Sequence, residues 1–227
     1  MSNIERIFNN LKLDLDNDKL KGKITITLSD IDCIITGKDG VGTMLQEWFF
    51  DWAKINGYNL EKNPESQQFP DYFVQEGSGN KGFLDIKAFN INEDPAFDVA
   101  DGYGFIEDLL VDISKLNADY IIFGYLLDDK GNLIIKEIWS KKIWELIGKS
   151  PKNHITCQIR TAKGKDHSEG RLQKFRPYNF HKPRSQKYKF NTLLEFLESL
   201  QLLLNYNNGT KSIYSDWLSK IKKLLPT

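Results

Sequence analysis

FPDYFVQEGSGNKGFLDIKAFN, residues 69–90, is the stretch on which the reading of this chain turns. Asp71–Gln75 and Gly82–Phe89 are strand-like runs joined by the glycine-rich turn EGSGNKG, and together they predict a β-hairpin. Asp71 opens the first strand and Asp85 lies on the second, so a twisted pair of strands can bring both carboxylates to one hard cation with water positions left open. Side chains alternate along a strand, so Asp85 and Lys87 share a face. Ile86 then points into the core and offers its backbone carbonyl as a further ligand. A lysine ammonium in that position can orient a water and favour its hydroxide form beside a metal that does most of the acidifying.

Outward from the hairpin, residues 42–55 predict an amphipathic helix, with Leu45, Trp48, Phe49 and Trp52 at three- and four-residue spacings and Asn56-Gly57 as its stop. Glu47 on this helix has Asp51 one turn later on the same side, the pattern of a solvated helix face. A shorter helix is expected around Ile4–Leu11, and a strand at Gly22–Leu28, where Ile24, Ile26 and Leu28 alternate with polar neighbours. Cys33–Thr36 would continue that sheet. Downstream follow a helix at Gly102–Leu116 capped by Asp98 or Asp101, and the run YIIFGYLL at Tyr120–Leu127, expected to be a strand buried on both faces. A strand at Leu133–Trp139, a short helix at Lys141–Gly148, a strand at Ile155–Thr161 and two C-terminal helices, Thr192–Asn205 and Ser212–Leu225, complete the chain. The expected fold is α/β, a mixed central sheet flanked by helices, in a single domain over residues 1–227.

Composition narrows the function. With 40% apolar and 27% charged residues the chain is globular rather than disordered, and it has no apolar stretch of the roughly 18 residues a membrane span requires. The polar N-terminus, MSNIERIFNNLKLDLDNDKLKGK, points to the cytoplasm. Cys33 and Cys157 have no CxxC partner and are expected to be buried small hydrophobes. Gly37–Gly42 lacks the spacing of a phosphate-binding loop. Zero net charge argues against a polyanionic partner until the charges are mapped: residues 1–130 hold 24 acidic and 12 basic residues, whereas residues 160–189 hold ten basic and two acidic. Four of the five arginines, Arg160, Arg171, Arg176 and Arg184, fall in that stretch beside Lys163, Lys165 and Lys174. The segment reads as a DNA contact or as a solvated loop, with Phe175, Tyr178, Phe180 and Tyr188 interleaved. His167 and His181 lack the company of a zinc or HNH pattern.

Paired acids next to a lysine are the parts that metal-assisted phosphodiester hydrolysis needs. The combination of Pro70-Asp71 with Asp85-Ile86-Lys87 resembles the PD-(D/E)xK nuclease superfamily, and within it the Asp-x-Lys form and short chain look most like an orthodox type II restriction endonuclease, similar to the NgoBV and NlaIV type. That resemblance implies a restriction endonuclease-like fold and a Mg²⁺ cofactor held by Asp71, Asp85 and the Ile86 carbonyl. It further implies Lys87 at the attacking water, duplex DNA as substrate and a homodimer, and it makes Glu47, on the helix that in many members supplies a further carboxylate, either a third acid of the site or part of the solvated face. The helices over residues 191–227 read first as core packing and second as a dimer seam. Rival readings are a repair nuclease, nicking enzyme or junction resolvase of the same superfamily, and a non-catalytic DNA-binding module.

Overall fold

Ile121, Ile122 and Phe123 lie mid-run in YIIFGYLL, and apolar side chains on both faces can all be buried only in a strand at the centre of a sheet. The computed structural model has that strand there, and it describes residues 1–65, 68–77, 79–161, 170–206 and 214–225. In chain order the elements are α1 (Asn3–Asp16), β1 (Lys21–Lys23), β2 (Thr25–Leu28), β3 (Ile31–Ile34), α2 (Val41–Ile55), β4 (Leu60–Lys62), β5 (Tyr72–Gln75), β6 (Lys81–Asn90), β7 (Ala100–Asp101), α3 (Gly102–Val111), β8 (Asp119–Leu127), β9 (Asn132–Lys142), α4 (Ile143–Leu146), β10 (Lys149–Ser150), β11 (His154–Ile155), β12 (Cys157–Arg160), β13 (Arg171–Phe175), α5 (Leu193–Tyr206) and α6 (Trp217–Leu224). Among the described residues the 3₁₀ turns Ile113–Asn117 and Pro183–Tyr188 are interspersed. The chain divides into two compact units, one of Met1–Pro95 with Ala118–Lys141, the other of Ala96–Asn117 with the chain from Lys142 onward.

The first unit is built on a six-stranded mixed sheet ordered β1-β9-β8-β6-β5-β4. β5 runs antiparallel to β6, from Gln75↔Lys81 to Tyr72↔Leu84, and β6 runs parallel to β8, from Leu84↔Asp119 to Asn90↔Tyr125. A parallel pair needs a crossover, and most of this one is made by residues assigned to the second unit. A Ser2–Glu5 capping box opens α1, which buries Ile4, Ile7 and Leu11. Helix α2 buries Val41, Leu45, Phe49, Trp52 and Ala53 in the same core as Tyr72, Leu84, Ile86 and Phe123. The Phe49 ring centre lies 5.6 Å from that of Tyr72 and 6.5 Å from that of Phe123.

The expected strand Gly22–Leu28 is in fact two strands. β1 pairs with β9 at the sheet edge, whereas β2 pairs with β3 in a ribbon turned at Ser29-Asp30, both of which have the positive φ that a two-residue hairpin turn requires. Every residue of β2 and β3 is exposed, so the alternation of Ile26 and Leu28 marks no inward face, and β3 does not extend the main sheet. Cys33 is correspondingly exposed rather than buried, and Cys157, in the second unit, is half-buried.

The second unit contains a three-stranded sheet β12-β13-β7 and the short pair β10-β11, with α3, α5 and α6. Asp101 caps α3 by accepting from the Gly104 amide at 3.0 Å. The helix expected to run to Leu116 stops at Val111 because Asp112 adopts an extended backbone, and a 3₁₀ turn follows. The expected strand Ile155–Thr161 is interrupted at Thr156, whose hydroxyl accepts from the Gly148 amide and donates to the Arg176 carbonyl. Trp217 on α6 is fully buried, with its indole N–H donating to the Ile106 carbonyl at 3.0 Å. The break expected at Asn207-Asn208-Gly209 lies outside the described residues.

Gly124 marks a tight point of the first unit's sheet, since a Cβ there would meet the Trp139 ring at 2.9 Å and Ile91 Cδ1 at 3.2 Å. Gly124→Val is expected to destabilise the protein by about 1–3 kcal/mol, the usual cost of overpacking, read as a lower urea midpoint at unchanged slope.

Candidate active site

The hairpin strands part where the acids sit. Tyr72↔Leu84 is the last register pair between β5 and β6, and Asp71 lies one residue before β5 begins. Two residues beyond Leu84, the Ile86 amide donates not to a backbone carbonyl but to Asp71 Oδ2 at 2.8 Å. The Asp71 carboxylate therefore continues the hydrogen-bond ladder where its own strand has left it. Ile86 has its side chain in the core at 1% exposure, as the alternation predicts, which turns Asp85 and Lys87 to the other face.

The Ile86 carbonyl accepts from Gln46 Nε2 at 3.1 Å, and the same nitrogen donates to Asp71 Oδ2 at 3.0 Å. Gln46 is fixed from behind by the Tyr72 hydroxyl, which donates to its carbonyl at 2.7 Å. The acid that the sequence offers is its neighbour. Glu47 is exposed and its carboxylate holds Lys62, so the structure does not bring it to the acid pair. The signal that separates them is angular: three and seven residues after Gln46 come the buried Phe49 and Ala53, whereas four and seven after Glu47 come the exposed Asp51 and Lys54.

Asp85 is 3% exposed with Lys87 Nζ 2.7 Å from its Oδ2. Burial pushes its carboxyl up to about 7, against the pull of the Lys87 ammonium and with a further push from Asp71. Tyr72 and Tyr120 are also held protonated, first by burial and then by the nearby acids, and Tyr120 stands opposite Asp85 in the β6–β8 register. The oxygens gathered here are the Asp71 and Asp85 carboxylates and the Ile86 carbonyl, a hard set that fits a divalent cation of the Mg²⁺ kind. The fit rests on an observation: Asp71 Oδ2 and the Ile86 carbonyl converge on one electropositive group, the Gln46 amide nitrogen. Among the described residues no cluster of three or more His, Cys, Asp or Glu is poised for a metal, so the carboxylates number two.

The basic segment is neither one long loop nor uniformly free. Lys163, Lys165 and His167 lie outside the described residues. Arg171 and Lys174 are on β13 and Arg184 is in the 3₁₀ turn. Phe175, Tyr178 and Phe180 are buried, so the aromatic interleaving reflects packing of the second unit rather than a stacking platform for bases. Lys174 pairs with Asp101 at 3.3 Å, and Arg176 pairs with Asp98 at 2.7 Å while also reaching the Ala96 carbonyl and Gln158. Arg160 and Arg171 are exposed and stand directly opposite each other across β12 and β13.

A family model described as NgoBV restriction endonuclease matches residues 1–225 of the chain. The chain is 30% identical over 225 residues to the type II restriction enzyme NlaIV of Neisseria lactamica, an alignment covering 96% of this chain and 87% of that protein. It is 34% identical over 146 residues to the type II restriction enzyme NgoBV of Neisseria gonorrhoeae, covering 63% of this chain and 81% of that one. Its fold is similar to that of a solved NlaIV restriction endonuclease, with a TM-score of 0.84 at 29% identity, covering 96% of this chain and 86% of that one.

Because burial outweighs the attraction of Lys87, the ionised Asp85 carboxylate is a net cost to the metal-free fold. Asp85→Asn, which keeps the shape and removes the charge, should raise the melting temperature in EDTA at pH 8 by about 2–4 °C, the shift that about 1 kcal/mol gives a chain of this size. A drop in melting temperature would show that the ion pair, not burial, dominates.

Proposed function

The chain belongs to the NgoBV restriction endonuclease family and is a site-specific type II restriction endonuclease; from that premise we propose that it acts with Mg²⁺ through Asp71, Asp85, the Ile86 carbonyl and Lys87, as a cytoplasmic homodimer on duplex DNA. The observation that carries the site assignment is the convergence of Asp71 Oδ2 and the Ile86 carbonyl on a single donor beside the buried Asp85. Asp71, Asp85 and the Ile86 carbonyl would hold the cation. When bound, it supplies neutralisation of charge at the phosphate and a water acidified toward neutrality.

The chain's own groups do the rest. Lys87 is only 20% exposed in its side chain and reaches Asp85 Oδ2, so its ammonium is desolvated and placed beside the acids. With three hydrogens it can hold an attacking water and a non-bridging phosphate oxygen while keeping a bond to Asp85. The water oxygen bonds to phosphorus as the phosphorus–oxygen bond to the leaving sugar breaks, and the leaving oxygen takes its proton from water. Tyr72 and Tyr120, kept protonated, add no negative charge to a site that must receive a phosphate. Two copies related by a twofold axis are the simplest means of cutting both strands of a symmetric site.

For DNA contact the favoured residues are Arg160, Arg171 and Arg184, with Lys163 and Lys165 between the first two in sequence. Like charges directly opposite across strands destabilise a sheet, and a polyanion lying over Arg160 and Arg171 would relieve that repulsion. Lys174 and Arg176 spend charge on Asp101 and Asp98, which makes Arg176 in particular a brace of the second unit.

Digestion of a plasmid of known sequence with Mg²⁺, followed by end mapping, should give discrete fragments whose ends define one short sequence. Asp85→Ala should lower the cleavage rate by about 10²-fold or more, on the scale of losing one strong electrostatic partner of the transition state, while still binding DNA. Cleavage at the parent rate would sink the site assignment. In binding titrations, Arg160→Ala and Arg171→Ala should each flatten the dependence of log affinity on log salt by about 0.9. An unchanged slope would remove these arginines from the DNA interface.

A further inference from the structure

Two acids and a lysine leave the cation place short of charge. Asp71 and Asp85 bring two negative charges and Lys87 returns one positive, a weak formal balance for drawing a divalent ion out of water. Gln46 sits at the remaining position. Both of its partners, Asp71 Oδ2 at 3.0 Å and the Ile86 carbonyl at 3.1 Å, are acceptors, so it is the amide nitrogen that must face them. An amide has a second end: half a turn about its terminal side-chain bond, a torsion with two broad wells, exchanges nitrogen for oxygen. The main chain behind it is pinned to β5 by the Tyr72 hydroxyl, so the exchange need not move α2.

We propose that Gln46 occupies the third-ligand place of the site, its Nε2 holding Asp71 and the Ile86 carbonyl together while no cation is present and its Oε1 turning inward when one binds. The proposal rests on the cation assignment made above. Its consequence is that a neutral amide stands where a carboxylate would give tight binding, so the free enzyme holds the cation weakly and the phosphate of the DNA completes the charge. Loading is then tied to substrate.

The test uses the full chain without DNA and reads Mn²⁺ affinity by electron paramagnetic resonance or calorimetry, with melting in EDTA as the check on folding. Gln46→Glu should tighten Mn²⁺ binding about tenfold, the effect of one added charge at about 1.4 kcal/mol. Gln46→Met, of the same length without a polar head, should weaken it about threefold or more. Asp71→Asn should weaken it at least as much as Gln46→Met. A merely structural Gln46 would lose affinity alike in both of its variants, and that result overturns the proposal. If the Gln46 variants bind as the parent does while Asp71→Asn binds less, the cation assignment stands and the role of Gln46 falls. If Asp71→Asn also binds as the parent does, the cation assignment fails and takes the proposal with it. Should Gln46→Met prove unfolded, Gln46→Glu against Asp71→Asn decides alone.

Discussion

Everything at the candidate site follows from the parting of β5 from β6 after Tyr72↔Leu84. Main-chain amides and carbonyls in a half-buried sheet must find partners, and past that point Ile86 can no longer find them on β5. The Asp71 carboxylate takes the amide and the Gln46 side chain takes the carbonyl. Satisfying one residue's backbone thus draws an acid, an amide and a carbonyl oxygen to one spot, next to Asp85, which the alternation of β6 has already turned to that face. The functional geometry is the repair of a split in a sheet.

The two units differ in how charge is spent. In the first, an acid is buried at 3% exposure at some cost, and it survives because Lys87 is beside it and the tyrosines around it remain protonated. In the second, several cations are already neutralised by aspartates of the same unit, and those left exposed include a cross-strand arginine pair. Neutral net charge is therefore the sum of an acidic and a basic part rather than a sign of indifference to polyanions.

Much of this was legible in the sequence. The hairpin, the burial of YIIFGYLL and the stripe of α2 follow from periodicity, because burial on one or both faces leaves a repeat of two or 3.6 residues. The pairing of Asp71 with Asp85-Ile86-Lys87 was legible through strand alternation. What was not legible depends on tertiary choices. Glu47 reads equally as a third acid and as a solvated helix residue, and only its angular position, which gives it to Lys62 and turns the neutral Gln46 to the candidate site, separates the two. Aromatic residues among arginines look the same whether they stack on bases or fill a core, and only the folded second unit shows Phe175, Tyr178 and Phe180 buried. Ile26 and Leu28 alternate as an inward face would, yet β2 finds β3 rather than the main sheet.

The crossover between the parallel strands β6 and β8 has a consequence for how the chain is born. β8 supplies the central strand of the first unit, but it emerges only after residues 91–118, most of which belong to the other unit. A growing chain that has reached Asn117 therefore carries β4, β5 and β6 with the N–H and C=O groups along the inner edge of β6 unpaired, and closing that edge is a long-range event with a long-range entropic cost. Until Tyr120–Leu127 arrives, that edge is a surface on which another strand could pair, and β8 both completes the sheet and removes the opening.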